Sequence, residues 1–522
     1  MPKQTVVLVI LDGWGIGKAD VSNPIHVMNP PNIDHIKHTY PAGSLQASGI
    51  AVGLPWNEEG NSEVGHLTLG AGKIIYQHFP RVSFTIRDGS FFRNKVLLDA
   101  FAHARKNNSQ VHFLGLLTDS GVHAHLDHLQ ALLTLADKEN FSSIYLHLFT
   151  DGKDASPKGA LKFIEKTPQE KIASLSGRFF AMDRDLHWDR TTRAYSTLVN
   201  SNAQAPMTNT DIKNFLNSAY ERGLTDDFIP PTLFRPEGAI KDNDSVIFFN
   251  FREDSIRQLT EMFVNPETGS DPERGQEQIH KIPKNLYIAT FTEYAGKFNL
   301  PVAFPAEEIT NPLGKVLADA DKVQLRVAET EKYAHVTYFF NGFKEAPFKN
   351  EYRVLIPSRS AARPDQFPEM MASEVTIRVV SALTEGVYDF ILVNYANPDA
   401  IAHTGNFKAA ISAVRAVDDA IGALTKAALE HNHILIITAD HGNIERMIDP
   451  RTGLIETKHD PSQVPFYLIK KGGESQKDDR VIKKIEGENT GVLSDVAPTI
   501  LKLMNLPKPK EMTGINLLNL LE

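Results

Sequence analysis

Short runs of apolar, often β-branched residues alternate along this chain with longer amphipathic stretches. The run Val111–Leu117 precedes a stretch over His125–Asn140 in which leucine and alanine recur at helical spacing. The same alternation joins Ser143–Thr150 to Pro157–Lys166. Apolar strands that alternate with amphipathic helices are typical of parallel sheets. The pattern therefore predicts an α/β fold with largely parallel sheets.

Polar side chains that can bind a cation follow several of these apolar runs. Asp12 comes after one run, and Asp399 and Asp440 come after two others. Ligands of open α/β sheets gather at the carboxyl ends of the strands. Oxygen and imidazole ligands without cysteine suit manganese, zinc or magnesium. The candidate metal ligands are Asp12, Ser62, Asp399, His403, Asp440, His441 and His459.

The serine in this set is also a candidate nucleophile. A divalent cation can stabilise the alkoxide of Ser62 and polarise a phosphoryl oxygen, which predicts phosphoryl transfer through a phosphoserine. Ser62 is expected to open a helix, whose amide groups and dipole would help to hold the phosphate. A simple role for Ser62 as the helix N-cap is an alternative, and the two roles can coexist.

The spacing of the metal candidates predicts the domain organisation. They occur at 12 and 62, and they return only from 399 to 459. We expect two α/β domains: a discontinuous metal-binding domain over 1–76 and 310–522, and a substrate-binding domain over 77–309 inserted in it. Glycine, proline and polar residues cluster near both junctions. An exposed loop is expected over 265–283.

Composition excludes several classes of protein. The net charge of -9 over 522 residues argues against a general binder of nucleic acid or anionic membranes. The absence of cysteine excludes disulfides and thiolate ligands. The apolar run near the start is too short for a signal peptide, and no later run approaches the roughly 18 residues of a membrane-spanning helix. We expect a soluble cytoplasmic protein with a small-molecule substrate.

The segment expected to be inserted carries residues suited to an anion. Guanidinium groups bind phosphates and carboxylates through paired hydrogen bonds, so a phosphorylated acid is a sensible ligand. The candidate substrate-binding residues of this segment are His123, Lys153, Asp154, Arg184, Arg190 and Arg252.

Seven motifs, in this order along essentially the whole chain, resemble the cofactor-independent phosphoglycerate mutase family of the alkaline phosphatase superfamily. They are LDGWG, GNSEVGH, GAGKIIYQ, AMDRD, AETEKYAHVTYFFNG, NPDAIAHTG and ADHGN. The resemblance implies that 3-phosphoglycerate and 2-phosphoglycerate are interconverted without 2,3-bisphosphoglycerate. Serine would take the phosphoryl group and return it after the glycerate has reoriented between the domains.

The same resemblance implies a role for each candidate. One manganese ion would be held by Asp12, Ser62, Asp440 and His441, and a second by Asp399, His403 and His459. Zinc, cobalt or magnesium are possible substitutes. The substrate would contact His123, Lys153, Asp154, Arg184, Arg190, Arg252 and Lys332. Asp154 is a candidate for handling the hydroxyl proton, Lys332 would supply a mobile positive charge, and the protein would be a monomer.

Two positions depart from the family pattern. Lys153 stands where the family usually has arginine, which keeps the charge and loses the guanidinium fork. Ser255 replaces a second arginine and removes a phosphate ligand. Arg257 lies two residues further on, and a helix would point it roughly 200° away, so we do not transfer the role to it.

Several alternatives remain open at this stage. His123, His125 and His128 have metal-like spacing, although structural roles are expected for the last two. The candidate arginines could form ordinary surface ion pairs. The glycines after Asp12 suggest a dinucleotide-binding loop but lack its third glycine. Another metal-dependent phosphomutase or phosphatase, or an inactive homologue that acts as a binding protein, are the alternative functions.

Overall fold

The computed structural model describes residues 3–200, 212–268, 282–360 and 363–521. Most of the loop expected over 265–283 lies outside these ranges. Strands (β) and helices (α) are numbered in chain order. The chain divides into two compact units, Met1–Gln77 with Glu308–Glu522 (unit 1) and His78–Glu307 (unit 2). These bounds differ by one and two residues from the predicted domain limits at 76 and 310. The assignment of a separate function to each unit stays a prediction.

Unit 1 is built on an eight-stranded sheet in the order β10-β9-β11-β1-β12-β13-β2-β14. The five strands from β10 to β12 are parallel, and β13 is antiparallel to both of its neighbours. The strands are β1 Val6–Leu11, β2 Ala42–Gln46, β9 Gln324–Glu329, β10 Glu351–Ile356, β11 Phe390–Tyr395, β12 Ile434–Thr438, β13 Val464–Ile469 and β14 Gly491–Val492.

The central strands of unit 1 are buried along their whole length. β1, β11 and β12 are almost entirely apolar, as parallel strands covered on both faces must be. The helices in this unit are α1 Pro24–Met28, α2 Pro31–Thr39, α3 Ser62–Ala71, α12 Leu313–Asp319, α13 Ala372–Glu385, α14 Asn397–Ala402, α15 Phe407–Glu430, α16 Asp479–Gly487 and α17 Val496–Leu503.

Helix α15 shows how the sequence determines these elements. Its N-cap Asn406 accepts a hydrogen bond from the Ala409 amide, which satisfies one of the free donors of the first turn. Ala410, Ala413 and Val417 recur at helical spacing and are buried. The apolar stripe therefore packs into the core of unit 1.

Unit 2 is built on a six-stranded sheet in the order β6-β5-β4-β3-β7-β8, parallel except for the edge strand β6. Its strands are β3 Val111–Leu117, β4 Ile144–Thr150, β5 Ile172–Gly177, β6 Thr232–Leu233, β7 Ser245–Phe248 and β8 Tyr287–Thr290. Its helices are α4 His78–Asp88, α5 Lys95–Asn107, α6 Leu126–Lys138, α7 Ala160–Ile164, α8 Arg178–Ala181, α9 Trp188–Val199, α10 Ile212–Glu221 and α11 Arg257–Val264.

Each unit encloses its own hydrophobic core. The predicted α/β class with largely parallel sheets is confirmed. Among the described residues, no helix combines the length and hydrophobicity needed to cross a membrane.

Candidate metal centre and anion pocket

Three neighbouring strands bring three carboxylates of unit 1 together. Asp12 follows β1, Asp440 lies two residues after β12, and Asp399 lies in the first turn of α14 after β11. Since β11, β1 and β12 are adjacent and parallel, their carboxyl ends meet at one edge of the sheet. All three side chains are buried. We call this group, with Ser62, His403, His441 and His459, the metal centre.

Ser62 opens helix α3, as expected from the sequence. Its Oγ lies 3.0 Å from both Asp12 Oδ1 and His441 Nε2. The alternative role as N-cap is wrong, because Asn61 is the cap and its side chain accepts from the Val64 amide. The Ser62 hydroxyl is therefore free to face the carboxylates.

The three histidines of the metal centre turn the same nitrogen toward it. The Nδ1 atoms of His403 and His459 lie 2.9 and 2.7 Å from backbone carbonyl oxygens, so they carry the hydrogen when the rings are neutral. Their Nε2 atoms lie 3.1 Å from each other and 3.2 and 3.3 Å from Asp399 Oδ1. Converging lone pairs and a carboxylate repel one another unless a cation lies among them, so these residues fit a metal ion.

The residues around Ser62 also suit a cation. Asp440 Oδ2 is buried and makes no hydrogen bond within the described structure. Asn394 donates to Asp12 Oδ2 at 2.7 Å, which leaves Oδ1 directed at Ser62. Burial acts to lower the pKa of His441, but nearby carboxylates, Asp440 first, raise it to about 10. A divalent cation competes with that proton for the ring nitrogen.

Lys332 belongs to the same cluster in unit 1. Its Nζ lies 2.5 Å from Asp12 Oδ1, 2.7 Å from Ser62 Oγ and 2.7 Å from Asp399 Oδ2. Burial acts to lower the pKa of Lys332, but the carboxylates outweigh it and the pKa is raised. In this arrangement the ammonium group is buried and held by three partners, and the expected mobility of its charge stays a prediction.

The glycines after Asp12 have a packing role. A Cβ on Gly15 would lie 2.2 Å from the Glu445 carboxyl group, and the Gly15 amide donates to Glu445 Oε2. Glu445 also accepts from the Asn443 amide, and Asn443 Nδ2 donates to Asp399 Oδ1. The glycine run therefore lets the chain approach a buried carboxylate that supports the metal centre.

In unit 2, His123 and Asp154 share a neighbour that the sequence did not reveal. Arg178 Nη1 donates to Asp154 Oδ2 at 2.5 Å, and Nη2 lies 3.0 Å from His123 Nε2. Nη1 also donates to the buried Asp151. Burial, and secondly Arg178, lowers the pKa of His123 to about 4. The ring is therefore neutral near pH 7.

Two further arginines meet on one carboxylate. Arg184 and Arg252 donate to Asp254 Oδ2 at 2.8 Å, and His123 Nδ1 lies 3.8 Å from Asp254 Oδ1. Arg190 instead pairs with Asp183 at 2.9 Å. The structure thus brings His123, Asp154, Arg184 and Arg252 together through Arg178 and Asp254. We call these four residues, with Lys153 and Arg190, the anion pocket.

The two departures from the family pattern lie in different environments. Lys153 is exposed, whereas Ser255 is buried and its Oγ donates to Asp254 Oδ1. Ser255 and Arg257 do not share a helix, because α11 begins at Arg257 and Ser255 lies in the preceding turn, so the geometric reason against Arg257 does not apply. Arg257 donates to the Tyr294 carbonyl at 2.6 Å.

His125 and His128 have structural contacts. His125 caps α6 by accepting from the Asp127 amide. His128 is fully buried beside Ser83 Oγ at 3.0 Å, and burial lowers its pKa to about 3.

Sequence reasoning missed the residues that hold the candidates in place. Asn394 lies within an apolar strand, and Asn443 lies in the quoted motif ADHGN. Asp151 follows β4 as Asp12 follows β1, and this position was the available signal for it. Arg178 follows β5 in an ordinary Ser-Gly-Arg sequence that carries no recognisable signal.

Comparisons with known proteins agree with this geometry. Residues 4–508 match the model of the metalloenzyme superfamily. The chain is 44% identical to "2,3-bisphosphoglycerate-independent phosphoglycerate mutase 1" of Methanosarcina barkeri over 99% of this chain and 98% of the relative. It is 45% identical to a Clostridium kluyveri protein named 2,3-bisphosphoglycerate-independent phosphoglycerate mutase, over 99% and 100%.

A solved structure of a phosphoglycerate mutase is also similar to this chain. A crystal structure of Leishmania mexicana phosphoglycerate mutase at low cobalt concentration aligns with a TM-score of 0.53 and 27% identity, over 99% of this chain and 98% of that one. The superfamily match and the clustered donors together indicate metal dependence. The chain belongs to the 2,3-bisphosphoglycerate-independent phosphoglycerate mutase family.

Proposed function

We propose that this enzyme interconverts 3-phosphoglycerate and 2-phosphoglycerate through a phosphoserine on Ser62. The observation that carries the proposal is the position of Ser62 Oγ, at the N-terminus of α3 and within 3.0 Å of Asp12, His441 and Lys332. The high identity to relatives named as such mutases supports the choice of substrate.

The transfer balances without a further reactant. Ser62 would react as the alkoxide that a bound cation stabilises: its Oγ bonds to phosphorus while the bond to the 3-oxygen of the substrate breaks, and that oxygen gains a proton. The 2-hydroxyl then loses its proton and takes the phosphoryl group back, which frees Ser62. Asp154 is the proposed carrier of the proton between the two hydroxyls, because its Oδ1 remains available when Oδ2 pairs with Arg178.

The residues of unit 1 divide into two proposed ligand sets for two manganese ions. Asp12, Ser62, Asp440 and His441 would hold one, and Asp399, His403 and His459 the other. A bound divalent cation would lower the pKa of the serine hydroxyl and neutralise phosphoryl charge. Lys332 donates to Ser62 Oγ and remains cationic, so it would stabilise negative charge on the transferred group.

The anion pocket is the proposed site for the rest of the substrate. Arg184 and Arg252 would bind its carboxylate or phosphate in place of Asp254, and His123 Nδ1 would donate to an oxygen. Arg190 and the exposed Lys153 would add positive charge. No bisphosphoglycerate cofactor is needed, and we propose a cytoplasmic monomer that acts on phosphoglycerate.

The test is isomerisation of 3-phosphoglycerate by protein that has been chelated and dialysed, with and without added manganese. We expect 2-phosphoglycerate to form only with the metal, in the absence of 2,3-bisphosphoglycerate. Zinc, cobalt and magnesium, assayed in parallel, rank the possible substitutes. Formation of the product at an equal rate without any metal would contradict the proposal.

A phosphatase or another phosphomutase on the same scaffold is the second candidate. The buried Ser255 favours it, because the pocket has one guanidinium group fewer than the family pattern provides. Net release of phosphate from 3-phosphoglycerate, without formation of the isomer, would support this alternative. No product together with no metal binding would support an inactive homologue.

A further inference from the structure

Arg178 occupies the centre of a hydrogen-bonded group in unit 2. It begins α8 directly after β5, and its side chain is 10% exposed. Nη1 donates to Asp151 Oδ1 at 2.7 Å and to Asp154 Oδ2 at 2.5 Å, and Nη2 lies 3.0 Å from His123 Nε2. Both terminal nitrogens are therefore engaged by the protein itself.

These contacts determine where His123 carries its proton. A guanidinium group has donors and no acceptor, so His123 Nε2 must accept the hydrogen bond from Arg178. The neutral ring then carries its hydrogen on Nδ1. That atom is buried, makes no hydrogen bond within the described structure, and lies 3.8 Å from Asp254 Oδ1.

Asp151 anchors the whole group. It is 2% exposed and accepts from Thr118 Oγ1 at 2.7 Å and from the amides of Lys153 and Asp154. Burial alone would raise the pKa of Asp151, but these hydrogen bonds and that from Arg178 lower it. The Asp151 carboxylate therefore fixes the loop that carries Asp154 and, at the same time, the orientation of Arg178.

We propose that Arg178 is a positioning residue that keeps His123 in the Nδ1-protonated neutral form and holds Asp154 by one carboxylate oxygen. The pocket then offers a substrate one N–H donor from His123 and one free oxygen from Asp154. A phosphorylated hydroxy acid has the matching groups, an anionic oxygen and a hydroxyl. The kinetic part rests on the proposed function, whereas the position of the proton does not.

The charges around His123 agree with this assignment. The groups that face it are Arg178, Arg252, Asp154 and Asp254. Burial and the two arginines act against a positive ring, and the two carboxylates act in its favour. Removal of the Arg178 guanidinium would leave the carboxylates to hold a protonated imidazole in place.

The experiment is nitrogen NMR of full-length protein with ¹⁵N-labelled histidine. His123→Asn identifies the His123 signals, and the comparison uses wild type, Arg178→Met and Arg178→Lys. We expect wild-type His123 to show a protonated Nδ1 and an unprotonated Nε2 at pH 7. In Arg178→Met this preference is lost, and the ring gains its second proton about one to two pH units higher. Arg178→Lys, which keeps the charge without the fork, lies between them.

The kinetic readout uses the same variants with 3-phosphoglycerate. Arg178→Met should lower kcat about 100-fold, because both His123 and Asp154 lose their orientation. Arg193→Met is the matched control, since Arg193 is an exposed arginine of unit 2 that stacks on Phe180, and its kinetics should equal those of wild type.

Two results would overturn the proposal. One is a wild-type His123 with its proton on Nε2, which stays decisive even if the Arg178 variants fail to fold. The other is a folded Arg178→Met with unchanged His123 signals. A wild type that shows the expected proton position but does not isomerise 3-phosphoglycerate would contradict the proposed function and leave the positioning role of Arg178 intact.

Discussion

His441 in unit 1 and His128 in unit 2 are both fully buried, yet their pKa values move in opposite directions. Burial disfavours the charged ring at both positions. Around His441 the carboxylates of Asp440, Asp12 and Asp399 overcome that effect and raise the pKa to about 10. Around His128 no carboxylate compensates, and its pKa falls to about 3. The charged neighbours of a buried histidine, more than its burial, therefore decide whether its ring is protonated near pH 7.

The same contrast separates the metal centre from the anion pocket. In the metal centre, the carboxylates and His441 are buried, whereas His403 is exposed and His459 is partly buried, and backbone carbonyls fix the rings of these two histidines. In the anion pocket, long cationic side chains such as Arg184 and Arg252 are exposed and rest on Asp254. We infer that the metal centre is preorganised for a cation. In the anion pocket, the arginines must release a protein carboxylate such as that of Asp254 before they can bind the carboxylate or phosphate of a ligand.

The largest expected effect is the loss of the nucleophile. Ser62→Ala should lower the isomerisation rate by more than about 10⁴-fold, because it removes the hydroxyl that would take the phosphoryl group. Metal content, measured by atomic emission, should stay close to that of wild type because the carboxylates and imidazoles remain. Ser475→Ala, an exposed serine of unit 1, is the control. Appreciable mutase activity in Ser62→Ala would refute the phosphoserine mechanism.

A smaller effect is expected from a residue that only orients a ligand. Asn394→Ala removes the hydrogen bond to Asp12 Oδ2 and should weaken manganese binding about 10- to 100-fold. Titration of metal into the chelated protein measures this change. If Asn394→Ala bound manganese as tightly as wild type, Asp12 would not depend on that support.

The anion pocket should respond through substrate affinity. Arg252→Lys keeps the charge and loses the fork, so we expect KM for 3-phosphoglycerate to rise about 10-fold with a smaller change in kcat. Steady-state kinetics at saturating manganese measures both constants, and Arg193→Lys is the matched control. A fall in kcat with unchanged KM would place Arg252 in the chemical step instead.

His128 predicts how stability depends on pH. Its folded pKa of about 3 lies below the ordinary value of 6.5, so unfolding takes up a proton between these values. Stability contributed in this way is present above about pH 6.5 and is lost as the pH falls, by up to about 1.4 kcal/mol per pH unit. Urea unfolding of wild type and His128→Leu from pH 7 to pH 4.5 should show the shallower dependence in the variant. Parallel curves would show that the titration of His128 does not contribute to the pH dependence of stability.

The smallest effect is expected from Lys153→Arg. Lys153 is exposed, so a guanidinium group can replace the ammonium group without repacking, and KM should fall about threefold. Ser255→Arg is a poor test of the same idea, because Ser255 is buried against Asp254. A rise in KM for Lys153→Arg would show that this pocket differs from the family pattern in more than one side chain.

Those features of the fold and of the candidate site that depend on local sequence patterns could be predicted from the sequence. Asp12, Asp399 and Asp440 were found because each follows a recognisable apolar strand, and parallel strands place such residues at one edge. His459 lies in a loop that follows no such strand, and its Nε2 reaches Asp399 and His403 through contacts that its local sequence does not reveal. The α/β fold followed from the same alternation of strands and helices.

The features of the site that the sequence did not predict depend on contacts between distant segments of the chain. Arg178 meets His123 across 55 positions of the chain, and nothing in its local sequence marks that contact. The burial of Lys332 among Asp12 and Asp399 likewise arises from positions 320 and 67 residues apart. Ser255 and Arg257 were compared as residues of one helix, but α11 begins only at Arg257, and the local sequence does not mark that start.

The most direct test of the account is a search for the covalent intermediate. Manganese-loaded enzyme is mixed with 3-phosphoglycerate, quenched in acid within the first turnovers, and digested for peptide mass spectrometry. We expect a phosphate on Ser62 that disappears when the substrate is exhausted and is absent from Ser62→Ala. An enzyme that isomerises the substrate while its phosphate is carried by another residue, or by none, would contradict it.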